Sequence, residues 1–210
     1  MAIKNDREYR NFGAFEARED SAESAYKVAG YASTFEPYLL MNIDGVDCYE
    51  RIDRNAFNNA DFSDVVFLRD HEGEVFARTK NDTLKLTIDD RGLYTETDLS
   101  STTGSREMFE GIESGLYSQM SFAFTVAGEE IEENADGSIT RVITGFKKLY
   151  DVSAVSIPAN DGTEISARSF IDGLIEKDKA ERLVEAENER RAKALEEANN
   201  LIKKFREVKD

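Results

Sequence analysis

At 210 residues, 40% apolar and 10% aromatic, the chain suits one main globular domain with room for a substantial core. A formal charge of −16 at pH 7 argues against general nucleic-acid or anionic-membrane binding, because phosphate repels such a surface. Cys48 is the only cysteine, which excludes an internal disulfide; with no His–Cys cluster, neither a zinc site nor another cofactor is expected. No run of 18 apolar residues marks a membrane span, and Met1–Arg10 lacks the apolar core of a signal peptide. A reducing cytoplasm fits this composition.

Residues 1–24 are polar and charged and read as an arm. Tyr26–Phe35 has strand composition, with Gly30 as a bulge or close-approach point. After a loop with Pro37 and a turn at 43–46, Cys48–Ile52 reads as a short strand. The apolar run Val65–Leu68 predicts a buried strand, which has to turn out of the core at Arg69-Asp70-His71-Glu72-Gly73. Phe76–Lys80, Leu84–Ile88 and Leu93–Leu99 read as a meander, with turns at Asn81-Asp82 and at 89–92. Strands this dense predict an antiparallel barrel or sandwich. A helix follows, capped by Ser101, Thr102 or Thr103, with Met108, Phe109 and Ile112 on its apolar face and Gly115 at its end. Beyond a strand reaching about Ile131, residues 134–137 make a hairpin turn into Ser138–Thr144. Phe146–Ile157 is the last long strand, stopped by Pro158. From about Ile171 to Asp210 Glu, Lys, Arg and Ala dominate, predicting a long solvated helix. In it Leu195, Ala198, Ile202 and Phe205 keep 3-4-3 spacing, but Asn188 and Arg191 break the stripe, so no stable coiled coil is expected.

The strand after the first helix carries the most pointed pattern. Met120, Phe122, Phe124 and Val126 fall on one side; Gln119, Ser121, Ala123 and Thr125 fall on the other. Period two predicts a half-buried strand, its apolar side on the core and its small, polar side open to a cleft. Ser118 and Ser121 are three residues apart, so a strand containing both puts them on opposite faces, Ser121 on the cleft side. His71 is the only histidine, so an imidazole base at neutral pH has to be His71. A serine hydroxyl becomes an effective nucleophile when a base takes its proton and a third group orients that base. Asp151, among Tyr150, Val152 and Val155, is a candidate for the third role, because a carboxylate in an apolar strand is costly unless paired. An ion pair with Lys147, Lys148 or an arginine is the alternative. Asp70 and Glu72 flank His71, but adjacent side chains on extended backbone diverge.

Four segments together resemble the prohead (capsid maturation) serine proteases of tailed bacteriophages, relatives of the herpesvirus assemblins. They are Val28-Ala29-Gly30-Tyr31-Ala32; Asp70-His71 followed by Ala77-Arg78-Thr79 and Thr83-Leu84-Lys85-Leu86; residues 118–124 around Met120-Ser121-Phe122; and residues 151–159 from Asp151-Val152-Ser153 onward. The resemblance covers roughly residues 25–169 and lies in the order and spacing of the segments. It implies an α+β, mainly β fold: a small antiparallel β-barrel with surrounding helices, forming a protease domain over 25–170 between the N-terminal arm (1–24) and a charged helical tail (171–210). It also implies a serine endopeptidase, with His71 matching the base and Ser121 the nucleophile. Assemblins use a second histidine in the third position; this chain has none, and Asp151 stands where the phage branch shows an acid. The implied partners are the major capsid protein and its scaffolding segment, with self-association left open and neither nucleic acid nor membrane involved. The implied location is the assembling procapsid in the bacterial cytoplasm. Two further readings stay open: a catalytically idle assembly factor on the same fold, and a β-barrel binding module unrelated to phage.

Overall fold

The computed structural model describes residues 7–12, 15–17, 26–43 and 45–156, together with Glu187, Arg190, Arg191 and Lys193. The chain divides into two compact units, 1–164 and 165–210. In the second unit the four described residues are helical, and Arg191 donates to Glu187 one turn back at 2.8 Å. The rest of the tail helix expected over 171–210, and the strand stop at Pro158, lie outside the described residues.

The first unit is mainly β. Its strands are β1 (Glu8–Phe12), β2 (Glu16–Ala17), β3 (Lys27–Thr34), β4 (Tyr38–Ile43), β5 (Val46–Ile52), β6 (Val66–Arg69), β7 (Glu72–Arg78), β8 (Leu84–Ile88), β9 (Gly92–Asp98), β10 (Gln119–Glu133) and β11 (Ile139–Val155). One helix, α1 (Thr103–Glu113), precedes β10. Thr102 caps α1 by accepting from the Ser105 N–H, and Met108, Phe109 and Ile112 are buried on its inner face, as the sequence predicts.

The described strands form two sheets and no closed barrel, which corrects the expected antiparallel barrel ringed by helices. One sheet runs β1-β10-β11-β5-β4, with β6 attached to β11 and β7 to β6; the other runs β2-β3-β9-β8. The first is mixed. Because β11 is 17 residues long, it has room for β5 alongside Ile139–Ile143 and β6 alongside Asp151–Ala154, both parallel to it. The expected meander is also split: β7 pairs with β6 in one sheet, whereas β8 pairs with β9 in the other. A single 3-10 turn at Thr79–Asn81, ended by Asp82 at φ 60°, carries the chain between them. In β3 the register shift falls between Tyr31 and Ser33, not at Gly30.

One apolar cluster joins the two sheets and the helix, drawing Val28, Leu84 and Leu93 from one sheet and Phe67, Phe122, Phe124 and Val152 from the other. The segment between β5 and β6 plugs it with Phe57, which stacks on Phe146 at 4.6 Å. No helix among the described residues is long and apolar enough to cross a membrane.

Two features bear on the site. Residues 8–12, inside the stretch expected to be a polar arm, form β1 and pair with β10 from Glu8↔Phe124 to Phe12↔Met120. The buried side of β1 is ionic. Arg10 donates to Glu50 and Glu8, Arg141 donates to Glu8, Glu50 and Glu129, and the Tyr38 hydroxyl joins Glu50. Glu50 and Arg141 are essentially inaccessible, so these charges are tolerated only as a mutually satisfied set.

Candidate active site

The hairpin β6–β7 turns on two residues, Asp70 and His71, with Arg69 paired to Glu72. Their φ angles are 49° and 61°. Positive φ at both central residues is the type I′ turn, whose twist suits a tight hairpin and which Asp and His tolerate better than bulkier residues. A clamp seats the turn on β11: the Asp70 N–H donates to the Ala154 carbonyl, and the Asp70 carboxylate accepts from both the Ser156 N–H and its hydroxyl. The turn thus delivers His71 to the sheet face that carries the other two candidate residues.

That face is built by alternation. Ser121 of β10 lies opposite Ser153 of β11, and Ala123 lies opposite Asp151. Residues paired across a ladder share a face, and so do residues two apart along a strand. A bulge between Ala123 and Phe124 sets Phe124 opposite Leu149 and leaves Tyr150 as the extra residue. It returns Leu149 to the core while Asp151 stays on the side of Ser121, the local re-aiming that bulges beside functional sites provide.

The three candidate residues form one hydrogen-bonded chain. His71 Nδ1 lies 2.6 Å from Asp151 Oδ1, and His71 Nε2 lies 2.7 Å from Ser121 Oγ. The tautomer with its proton on Nδ1 donates to the carboxylate and leaves Nε2 to accept the serine hydroxyl. Asp151 is 2% exposed, and its Oδ1 also accepts from the Ser153 hydroxyl at 2.8 Å. Of the alternative ion-pair partners, Lys148 pairs with Asp61 instead. Ser118 is exposed, lies before β10 begins and is no part of this chain. Among the described residues no cluster of His, Cys, Asp or Glu could hold a metal ion. A carboxylate, an imidazole and a hydroxyl in series can transfer the hydroxyl proton to the imidazole as an electrophile is attacked, the carboxylate stabilising the imidazolium that forms.

Three neighbours carry no signal that the sequence reading used. Tyr9 of β1 meets the imidazole edge-on, ring centroids 4.5 Å apart, and Asn11 sits opposite Ser121. They lie in a charged stretch with no apolar periodicity. The third, Ser153, was detectable, because Asp151-x-Ser153 on a strand puts the hydroxyl on the carboxylate's face. The expected open cleft over Ser121 is not present. Ser121 and Ala123 have no accessible surface, and neither have Phe122 and Phe124 on the other side; β1 pairs alongside this strand, and the His71 ring meets Ser121 Oγ.

The model of the caudovirus prohead serine protease family matches residues 14–174. The chain belongs to that family. No curated protein and no solved structure matches it. The matched span holds the Asp70-His71 turn, Ser121 and Asp151, and β1 lies outside it. The family is one of serine peptidases of capsid maturation, associated with capsid proteins within the procapsid.

Proposed function

We propose that the chain is an endopeptidase that removes the scaffolding segment from the major capsid protein, and cuts its own tail, inside the assembling procapsid in the host cytoplasm. The observation that carries this reading is the continuous path from Ser121 Oγ through both ring nitrogens of His71 to the buried carboxylate of Asp151. Ser121 Oγ attacks the scissile carbonyl carbon while His71 Nε2 takes its proton. The imidazolium, held by Asp151, passes that proton to the leaving nitrogen as the C–N bond breaks. Water then attacks the acyl-serine with His71 again as base, and releases the new carboxylate and the free hydroxyl.

Co-expression with the capsid protein that carries its scaffolding segment tests the proposal, with mass spectrometry of the capsid protein's N-terminus as the readout. The expected result is a shortened capsid protein with the wild type and Ser118→Ala, and the full-length protein with Ser121→Ala. A capsid protein left whole by the wild type, in shells that still form, would instead support an assembly factor with an idle His–Ser pair.

A further inference from the structure

We infer that Ser153 is a positioning residue for the His71–Asp151 pair, an inference that rests on the triad reading above. A carboxylate on a strand is free to rotate about two side-chain torsions, and only some of its orientations present an oxygen to His71 Nδ1. On this face the one side chain two residues along β11 is Ser153, wholly buried, and its hydroxyl donates to Oδ1 of Asp151 at 2.8 Å. The same oxygen accepts the imidazole. A buried hydroxyl needs a partner, and a buried carboxylate gains most from donors that fix it, so each satisfies the other. The paired strand completes the packing: Ser121 lies directly opposite Ser153, so one ladder rung carries both the hydroxyl at the far end of the chain and the hydroxyl that holds its acid.

The titratable groups facing the imidazole are Asp151 from β11 and Tyr9 from β1, while Asp70, adjacent in the chain, points its carboxylate at Ser156. Ser153 therefore acts on His71 through Asp151. By donating to Oδ1 it draws negative charge away from the imidazole and locks the oxygen's direction. Removing it leaves Oδ1 more basic toward His71 and less well aimed.

His71 is the only histidine, so its imidazole resonances can be assigned without ambiguity in the intact chain. In Ser153→Ala the resonance of the proton on Nδ1 is expected to move, because the oxygen it meets has lost its second donor. The rate of Ser121 labelling by a fluorophosphonate is expected to fall about tenfold, a loss of 1.4 kcal/mol in barrier terms. Ser153→Thr keeps the hydroxyl and restores both readouts. Should Ser153→Ala not fold, Ser153→Cys, with its weaker donor, carries the same test. An unchanged resonance and labelling rate, or a lowered melting temperature with neither readout altered, overturns the inference. A moved resonance in a chain that labels neither intact nor with residues 1–12 deleted keeps the link from Ser153 to Asp151 and instead removes the triad reading on which its catalytic meaning depends.

Discussion

Asn11 lies directly opposite Ser121 in the antiparallel pairing of β1 with β10, and the serine beneath retains no accessible surface. Tyr9, two residues earlier on the same face, closes over the imidazole. A covalent probe therefore reaches Ser121 Oγ only when its surroundings move, and β1, the edge strand whose Tyr9 and Asn11 share that face, is one element that can give way. The buried ionic set opposes that departure. Glu8 and Arg10 pair with each other and also with Arg141 and Glu50, so their leaving breaks buried ion pairs, although Glu50 and Arg141 keep one another. Labelling of the intact chain by a fluorophosphonate is expected to be slow, and deletion of residues 1–12 should accelerate it at least tenfold. Equal rates in the two proteins would mean that β1 does not limit access to Ser121.

The same strand carries an acid-sensitive anchor. Burial pushes the Glu8 carboxyl up, but the hydrogen bond from Arg141 and the charges of Arg10 and Arg141 outweigh it and hold the pKa at about 2, against an ordinary 4.5. A depressed folded-state pKa contributes stability that is fully present above about 4.5 and is lost as pH falls toward 2. The difference is worth on the order of 3 kcal/mol at neutral pH. Glu8→Gln should therefore lower the stability measured by denaturant at pH 7, with the gap to wild type closing between pH 4.5 and pH 2. A gap that stays constant down to pH 2 would show that the carboxyl's charge is not what anchors β1.

Asp151 is placed to set the imidazole tautomer. In Asp151→Asn the amide can donate to Nδ1, which moves the ring proton to Nε2 and points it at Ser121 Oγ, where a base is needed. Turnover of a capsid-derived peptide is expected to fall by about four powers of ten in kcat at little cost in melting temperature. Unchanged turnover with a lower melting temperature would make Asp151 a structural partner and leave a dyad.

His71, Ser121 and Asp151 were legible as candidates because each is a polar group where an apolar strand or its end leaves little freedom. Alternation also put Ser121 on the side away from Phe122 and Phe124. Burial on both sides was not legible, because β1, which brings Tyr9 and Asn11 alongside Ala123 and Ser121, has Glu8 and Arg10 on its other, buried face. Hydrophobic periodicity cannot detect a strand whose core partners are charges. Nor does period two say which strand a strand joins: the run Val65–Leu68 read as a buried strand, and of it Val65 and Phe67 are buried, but the parallel pairing of β6 beside Asp151–Ala154 comes from the length of β11, not from any local pattern. For the same reason three consecutive hairpin-like strands looked like one meander, though Thr79–Asn81 hands the chain from one sheet to the other.

The turn that presents His71 separates backbone strain from side-chain anchoring. Asp70 sits at φ 49°, where a residue with a Cβ typically pays about 1–2 kcal/mol, and its carboxylate recovers part of that by accepting two hydrogen bonds from Ser156. Three substitutions divide these contributions. Asp70→Asn tolerates the left-handed backbone and keeps an acceptor for Ser156, so stability and labelling of Ser121 should stay close to wild type. Asp70→Gly removes the strain along with the clamp; its melting temperature should change little, while a turn no longer tied to β11 slows labelling severalfold. Asp70→Ala has the strain without the clamp and should be worst on both counts. If Asp70→Gly labels as fast as wild type, the Ser156 clamp has no part in seating His71, and the type I′ turn alone holds the imidazole between Ser121 and Asp151.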